Sequence, residues 1–531
     1  MLSAQLKVII TTSGIGSRLG EFTKYTNKSL VKVGHKPVLS RIIDSYPKNT
    51  QFVVTLGYRG AHVREFLEIT YPQANFQFVL IDKYEGSESS LLHSLAHAEE
   101  FLQEPFIFHA CDTIVSGLNY TNIKTNWVAG MRGAPSTNYA SFDSKGKIVS
   151  RFHHKGMLDI DFTYIGVAGI KSYQAFWNSL KYILKSEKHQ NLLNDLSVLD
   201  DMLKAGELFE IQEIIDWHDA GNVESLQKAK RAYEYESSLL EKPTESVFFI
   251  DGYVVKFNVD EQVNSKKVNR ANLLAGLVPP IECHSDNFFK YKYVEGEVLS
   301  NVSNPDIIES LLQWAEQNLW KAPRKHGRLN FKEDCEEFYI NKSRIRIEEF
   351  TSSRRIRDEE VIINGKTIPP AQTLLTLSRE ILVSNAVEST FHGDFILDNI
   401  LALQGGFKLI DWRHEFGKSL EFGDLYYDLS KLNHSLHISH KLINRGLFDL
   451  SINGSEISCS TLRSDFSVSM QYKLRNYVQS RGLSWLKVEI LTAIIWVNMA
   501  PLHHHPFDEF LFFYGRLHLW EALSKGQVID S

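Results

Sequence analysis

The chain has 531 residues, of which 43% are hydrophobic and 23% charged, and a formal net charge of −6. A single hydrophobic core stops growing at roughly 250–300 residues, so the length implies two domains. The composition is that of an ordinary soluble protein. The acidic balance excludes a general nucleic-acid binder, which needs a basic surface to displace counterions. The four cysteines, Cys111, Cys283, Cys335 and Cys459, are far apart and form no C-x-x-C pair. Neither a disulfide framework nor a zinc site is expected, and a reducing cytoplasm fits.

The first apolar run, residues 6–12, reads as a buried central strand and not as a signal peptide. A glycine turn follows. The pattern then predicts a helix over 36–46, a strand over 51–58, a helix over 60–69 and a strand over 76–81. A helix over 90–102 and a strand over 105–112 complete the series. This alternation predicts a mostly parallel sheet with helices on both faces. Ligands bind such sheets at the carboxyl ends of the strands, where Gly14 and Asp112 both fall. Residues 222–242 are charged and free of Gly and Pro, as in a helical connector. Residues 246–257 predict a hairpin turning at Asp251-Gly252. Beyond residue 300 helical patterns dominate, with one β-like stretch around 399–411. The apolar run Leu491 to Leu502 contains Asn498 and is too short to span a bilayer, so no membrane insertion is expected.

Chemistry first enters at residues 13–39. A strand running into a glycine-rich turn can aim backbone N–H groups at a phosphate. Gly14 and Gly16 permit close approach, Arg18 can grip phosphate oxygens in a fork, and Lys28 adds a point charge. Gly14, Gly16, Ser17, Arg18, Thr23, Lys28 and Leu30 resemble the G-x-G-[ST]-R and P-K-x-L signature of the nucleotidyltransferases that activate sugar phosphates and phosphocholine. Asn27 stands where that family usually has Pro, which is expected to loosen the loop. Gly57-Tyr58 follows the second strand, as in the family. Gly86, Ser87, Glu88, Ser89, Ser90 and Leu91 resemble its G-T-x-x-S-L segment, which contacts base and ribose. Ser89 or Ser90 can equally cap a helix.

Asp112 falls where that family holds magnesium. Residues 217–226, WHDAGNVESL, resemble its W-x-D-x-G-x-x-x-x-L, which makes Asp219 the second metal acid. The resemblance implies a Rossmann-like, GT-A-type domain over 1–228. In it, a phosphate or phosphonate oxygen attacks the α-phosphorus of an NTP and pyrophosphate leaves. Mg²⁺ held by Asp112 and Asp219, with Arg18 and Lys28, offsets the negative charge.

Residues 391–412, FHGDFILDNILALQGGFKLIDW, carry a second inventory. A kinase needs one carboxylate near the accepting hydroxyl and two oxygen ligands for magnesium on the triphosphate, and Asp394, Asn399 and Asp411 supply that set. The run resembles the H-G-D-x-x-x-x-N and [IL]-D-[WFP] signature of aminoglycoside phosphotransferases and choline kinases. By that resemblance Asp394 is the catalytic base, Asn399 and Asp411 hold Mg²⁺, and His392 orders the loop. Residues 423–432 match the family's D-x-x-x-D-L-A helix, with Asp424 and Asp428 structural. Lys256 is like the small-lobe lysine that grips ATP phosphates, and 290–299 resembles the hinge. The helix after Lys256 has no clear glutamate partner for it. Either Glu261 or a residue outside the helix compensates, or ATP is gripped differently.

The resemblance implies a two-lobed, protein-kinase-like α+β domain over 244–531, with a small lobe over about 244–300 and a large lobe over about 301–531, reached through a helical connector at 229–243. Consecutive histidines at 503–505 do not share a helix face, so an acceptor-pocket or surface role is preferred to a metal. Trp496, Phe507, Phe510, Phe512, Phe513, Tyr514 and Trp520 suit a core better than a cation cage, although a choline-like cage stays open.

Together these readings give a bifunctional cytoplasmic enzyme with small-molecule substrates and Mg²⁺. ATP phosphorylates a hydroxyl compound, and a second NTP then activates the product for capsule or other surface polysaccharide, or for lipopolysaccharide. An amino alcohol or polyol with CTP ranks narrowly above a sugar with UTP, GTP or CTP. The alternative is that one half is a non-catalytic binding module. Acceptor, base preference and any homo-oligomer are left open.

Overall fold

The structure is a computed structural model describing residues 5–86, 89–120, 123–133, 138–185, 194–233, 244–323 and 330–529. The chain forms two compact units. The first comprises Met1–Glu236, Pro243–Val259 and Cys283–Lys290; the second comprises Ser237–Lys242, Asp260–Glu282 and Tyr291–Ser531. Residues 234–243 of the expected connector lie outside the described residues, and its described part is the helix Val223–Ala232.

The first unit is built on a nine-stranded sheet. Its strands are β1 (Lys7–Thr11), β2 (Gln51–Leu56), β3 (Asn75–Leu80), β4 (Phe106–Ala110), β5 (Asn126–Arg132), β6 (Ser141–Lys145), β7 (Ile148–His153), β8 (Phe162–Ile170) and β9 (Phe209–Glu213), in the order β3-β2-β1-β4-β8-β5-β9-β7-β6. The half read from the alternating pattern, β3-β2-β1-β4, is parallel, with Lys7 opposite both Gln51 and Phe106. Beyond β4 the sheet is mixed, because β8 runs antiparallel to both β4 and β5. Alternate residues of β1 feed separate cores: Val8 and Ile10 on one face, Ile9 on the other. Burial on both faces explains the unbroken apolar run.

The expected hairpin forms from Glu245–Ile250 and Tyr253–Asn258, with Asp251 and Gly252 both at positive φ. It does not part from the first unit at residue 244. The helix α1 (Gly60–Thr70) turns Phe66 toward Phe248 and Phe288, with ring centroids 5.6 and 5.9 Å away. Glu65 on the same helix accepts from Ser285 Oγ at 2.7 Å and Asn287 N at 2.9 Å, and Lys290 Nζ donates to Ile69 O at 2.7 Å. An apolar helix face needing cover, edged by polar anchors, accounts for the grouping.

The second unit is largely helical. Two hairpins absent from the sequence reading, Val361–Ile363 with Lys366–Ile368 and Phe448–Asn453 with Glu456–Thr461, join in a four-stranded sheet. The long C-terminal helices Trp485–Met499 and Phe507–Ile529 pack on each other. The segment Trp485–Leu502 is apolar and long enough to cross a membrane by length and composition, so the shorter apolar run read from sequence extends further back. However, 67% of it is buried within the unit. Trp496, Phe507, Phe510, Phe512, Phe513 and Tyr514 lie in this core, while His504 and His505 are exposed.

Candidate active sites

In the first unit, Gly14, Arg18, Lys28, Ser90, Asp112 and Asp219 line one cavity of about 750 Å³. The glycine loop leaves β1 and is pinned by Gly57. A Cβ there would lie 2.5 Å from Ser13 O, and the next residue, Tyr58, donates its N–H to that carbonyl at 2.9 Å. Gly16 has φ +72, and a Cβ on it would sit 2.9 Å from Lys28 Cβ. This glycine therefore makes room for the lysine.

Asn27 does not loosen the loop. It is fully buried. Its Nδ2 donates to Thr12 O at 2.8 Å and Tyr58 O at 2.7 Å, and its Oδ1 accepts from Ser29 N and Ser29 Oγ at 2.9 and 2.8 Å. An amide that uses both donors and its acceptor ties loop, strand end and the turn Lys28–Leu30 into one piece.

The carboxylates meet because two short strands pair antiparallel, Thr113 opposite Asp219 and Val115 opposite Trp217. Ala220 N also donates to Asp112 O at 2.8 Å. A Cβ on Gly221 would lie 2.9 Å from Asp112 Oδ2, 3.1 Å from Asp219 Oδ1 and 3.3 Å from Arg18 Nη2. One point therefore borders both carboxylates and the guanidinium, and only glycine leaves it open.

Lys28 Nζ lies 3.3 Å from Asp112 Oδ2. Burial pushes the Asp112 carboxyl up, but the charge and hydrogen bond of Lys28, with the charge of Arg18, outweigh it and hold Asp112 below the usual aspartate range. Asp219 goes the other way, raised by burial and by the charge of Asp112. It accepts from Gly221 N at 3.1 Å, Tyr139 Oη at 3.1 Å and Asn222 Nδ2 at 3.3 Å. Two mutually repelling carboxylates around an open point suit a magnesium ion, which takes one or two protein carboxylates and completes its shell with phosphate and water. Among the described residues no group of three or more His, Cys, Asp or Glu side chains gathers for a metal.

Ser90 caps the helix Leu91–Ala96 and also lines the cavity, so both readings of it hold. Gly86 has φ +86 but, like Gly16 and Ser17, does not line the cavity. Ser87 and Glu88 lie outside the described residues. The cavity adds Tyr139, Lys155, Tyr164 and Asp195, which the sequence reading missed. They arrive on distant elements, whereas Ser89, Leu91, Trp217 and Asn222, which also line the cavity, stand inside recognised motifs.

In the second unit, Asp394, Asn399 and His392 come together. Asn399 Nδ2 donates to Asp394 O and Oδ2, each at 3.0 Å, so neither of these bonds uses its Oδ1 acceptor. His392 is fully buried, and burial drives its pKa down to about 4; Asp394 N donates to its Nδ1 at 3.3 Å. Asp428 accepts from His392 N at 2.8 Å, Gly393 N at 2.7 Å and Trp320 Nε1 at 3.0 Å. Asp424 caps the helix Leu425–His437 and pairs with Lys487 at 3.0 Å, both side chains wholly buried. Both aspartates hold backbone.

The loop carrying Asp411 is tied to the H-G-D loop by Arg270, which donates to the carbonyls of Phe391, His392 and Arg413. Asp411 sits at φ +57, an uncommon conformation for a non-glycine residue. The helix α2 (Glu261–Leu273) presents no glutamate toward it. Lys267 Nζ lies 3.7 Å from Asp411 Oδ1, and Glu261 is exposed in the first helical turn. Lys256 is buried on the strand Tyr253–Asn258, in the first compact unit. Lys431, unassigned from sequence, pairs with Asp394 Oδ1 at 2.7 Å. Its place three residues after Asp428 on one helix put it on the same face, a signal the sequence held.

No protein-family profile matches the chain. A stretch of 63 residues is 33% identical to the glucose-1-phosphate cytidylyltransferases of Salmonella typhimurium and Salmonella typhi, covering 12% of this chain and 24% of each enzyme. The chain therefore spans 24% of the length of these curated relatives. Solved structures similar to it include the CTP:phosphocholine cytidylyltransferase of Streptococcus pneumoniae, 18% identical over 43% of this chain and 100% of that one, with a TM-score of 0.37. Another is the inositol-1-phosphate CTP transferase of T. maritima, 14% identical over 44% of this chain and 98% of that one, with a TM-score of 0.35.

Proposed function

We propose that the first unit is a nucleotidyltransferase that couples a phosphorylated small molecule to an NTP, releasing pyrophosphate, and that residues 244–531 contain a kinase that makes this phosphorylated compound from ATP. One observation carries the first half: Gly14, Arg18, Lys28, Asp112 and Asp219 converge on a single cavity. Arg18 and Lys28 hold the triphosphate, and Asp112 and Asp219 hold Mg²⁺. When bound, the ion neutralises phosphate charge and makes the α-phosphorus more electrophilic. No protein nucleophile is required, since the acceptor's own phosphate oxygen attacks. CTP is the first-ranked donor, supported by the 33% identity to cytidylyltransferases.

In the second half, Asp394 takes the proton of the acceptor hydroxyl, and Asn399 and Asp411 hold Mg²⁺. The cluster of Asp394 with Asn399 and the loop-ordering bonds of Asp428 support this. The two reactions are consecutive, and the product would serve surface polysaccharide or lipopolysaccharide. A second reading, that this half binds without transferring, is favoured by Lys267 lying beside Asp411.

The test is to incubate the full chain with ATP, Mg²⁺ and a panel of hydroxyl acceptors, following ADP formation, and then pyrophosphate release with CTP, UTP or GTP. Pyrophosphate release that depends on a phosphorylated acceptor supports the transferase. ADP formation without any nucleotidyl transfer would sink the two-step scheme, and transfer without ADP formation would favour the binding module.

A further inference from the structure

The second unit carries cationic side chains that the reactions above leave unused. Arg413 leaves the chain beside the H-G-D loop. Its N–H donates to His392 O at 3.1 Å, and a Cβ on Gly393 would lie 2.6 Å from Arg413 Cβ. Its guanidinium carbon stands 4.8 Å over the Phe338 ring, and Lys342 Nζ stands 4.5 Å over the same ring. Arg346 follows Lys342 by four residues on the helix Lys342–Arg354 and so shares its face. Lys431, at 2.7 Å from Asp394, joins this group to the carboxylate. All four are mostly but not wholly buried, the Lys431 side chain being 12% and that of Arg346 23% exposed.

The nearby acids do not balance them. Asp394 is engaged by Lys431 and Asn399; Glu415 by Lys266 at 2.8 Å and His414 at 3.6 Å; Glu349 reaches Arg346 only at 4.0 Å. Among the described residues, no carboxylate lies within ion-pair distance of Lys342 or Arg413. Burial first, then the charges of Arg413, Arg346 and Lys431, outweigh the charge of Glu415 and hold the Lys342 ammonium well below the ordinary lysine range. Four cations gathered in a partly desolvated place are unfavourable until an anion completes them; Arg413 gives Nε to Glu415 O and Nη1 to Tyr427 Oη, and Arg346 gives Nη1 to Asn498 O, so each keeps part of its guanidinium for an oxyacid.

We infer that Lys342, Arg346, Arg413 and Lys431 bind a carboxylate or phosphate group on the hydroxyl compound whose proton Asp394 accepts. The acceptor is then a hydroxy acid or a phosphorylated alcohol, not the amino alcohol that the sequence ranks first. This rests on the kinase reading of Asp394. The acceptor oxygen forms a bond to the γ-phosphorus of ATP, its proton passes to Asp394, and the bond to the β,γ-bridging oxygen breaks to release ADP.

The test measures ADP formation by the full chain with ATP, Mg²⁺ and, in turn, glycerate, glycerol 3-phosphate, glycerol and choline. The parent is compared with Lys342→Ala, Lys342→Arg and Asp394→Asn. The anionic probes should show a KM at least about tenfold below those of glycerol and choline. The ranking of glycerate against glycerol 3-phosphate separates carboxylate from phosphate. Lys342→Ala should raise the acceptor KM about tenfold with the KM for ATP unchanged, and Lys342→Arg should restore it. Equal use of glycerol or choline overturns the inference while leaving the kinase intact. So does a rise in the KM for ATP instead of the acceptor, which would assign the cluster to the nucleotide. ADP formation with no probe, or formation indifferent to Asp394→Asn, defeats the kinase reading itself and the inference with it.

Discussion

The two units manage charge in opposite ways. In the first, Asp112 and Asp219 border one open point, Lys28 pairs with Asp112 alone, and Asp219 is left raised by its neighbour. In the second, Asp394 has Lys431, Asp411 has Lys267, and the surplus beside them is positive. The first arrangement is short of a cation and the second of an anion. Carboxylate count therefore says little about what a phosphoryl site lacks; the lysines standing against each carboxylate decide it.

The most severe way to break the comparison is to remove one carboxylate from each unit. Asp112→Ala should lower nucleotidyl transfer by at least about 10³-fold and leave ADP formation intact, and Asp394→Ala should do the reverse. Both rates, measured on the same preparations, check it; a mutant that loses both activities would mean the halves are not chemically separate. Next in size is Gly221→Ala. Its methyl would occupy the point between Asp112, Asp219 and Arg18, so transfer should fall by about 10²-fold and the Mg²⁺ concentration for half-maximal rate should rise. An unchanged Mg²⁺ titration would show that the point between the carboxylates is not where the ion is held.

Much of this was legible because it is local. Gly14, Arg18, Lys28 and Asp112 follow from a strand-turn pattern, and Asp394, Asn399 and Asp411 from one continuous run. The missed residues come from elsewhere. Tyr139, Tyr164 and Asp195 reach the first cavity from a loop, a strand and the start of a helix that no spacing connects. Arg270 acts through its fork on three carbonyls, a role no charge pattern announces. The two hairpins of the second unit were readable: one turns at Asn364-Gly365 and the other at Gly454-Ser455, both short-range hairpin signals. At Asn27 a departure from Pro implies lost stiffness, whereas a buried amide making four hydrogen bonds restores it.

That correction gives the third prediction. Asn27→Ala leaves Thr12 O, Tyr58 O and Ser29 without their partners, so it should cost about 1–3 kcal/mol, read as a fall in the thermal midpoint of the first unit, and should raise the KM for the NTP by freeing Lys28. Asn27→Pro should not rescue it, because proline restores none of these bonds. A variant with proline as stable as the parent would return Asn27 to the role first expected of it.

The smallest effect separates two raised carboxyls with different causes. Asp219 is raised by burial and by Asp112; Asp428 is raised to about 6 by burial, against hydrogen bonds from His392 N, Gly393 N and Trp320 Nε1 and the charge of Arg270. Up to about pH 6 the folded second unit keeps a proton on Asp428 that the unfolded chain releases near pH 4. The unfolded state thus binds fewer protons across that window, and stability falls as pH rises through it, levelling above about 6. Asp428→Asn should remove this slope. It should also lower stability at every pH by about 1–3 kcal/mol, because an amide offers one acceptor where two backbone N–H groups need two. Asp219→Asn removes the repulsion from Asp112 and keeps an acceptor for Gly221 N but not for Tyr139 Oη and Asn222 Nδ2, so the midpoint of the first unit at neutral pH should fall less than that of the second does, while nucleotidyl transfer is lost. Denaturant titration from pH 4 to 8, followed by probes in each unit, reads both. If Asp219→Asn destabilises the first unit as Asp428→Asn does the second, Asp219 is a structural acceptor like Asp428, and the shortage of positive charge inferred for the first site is wrong.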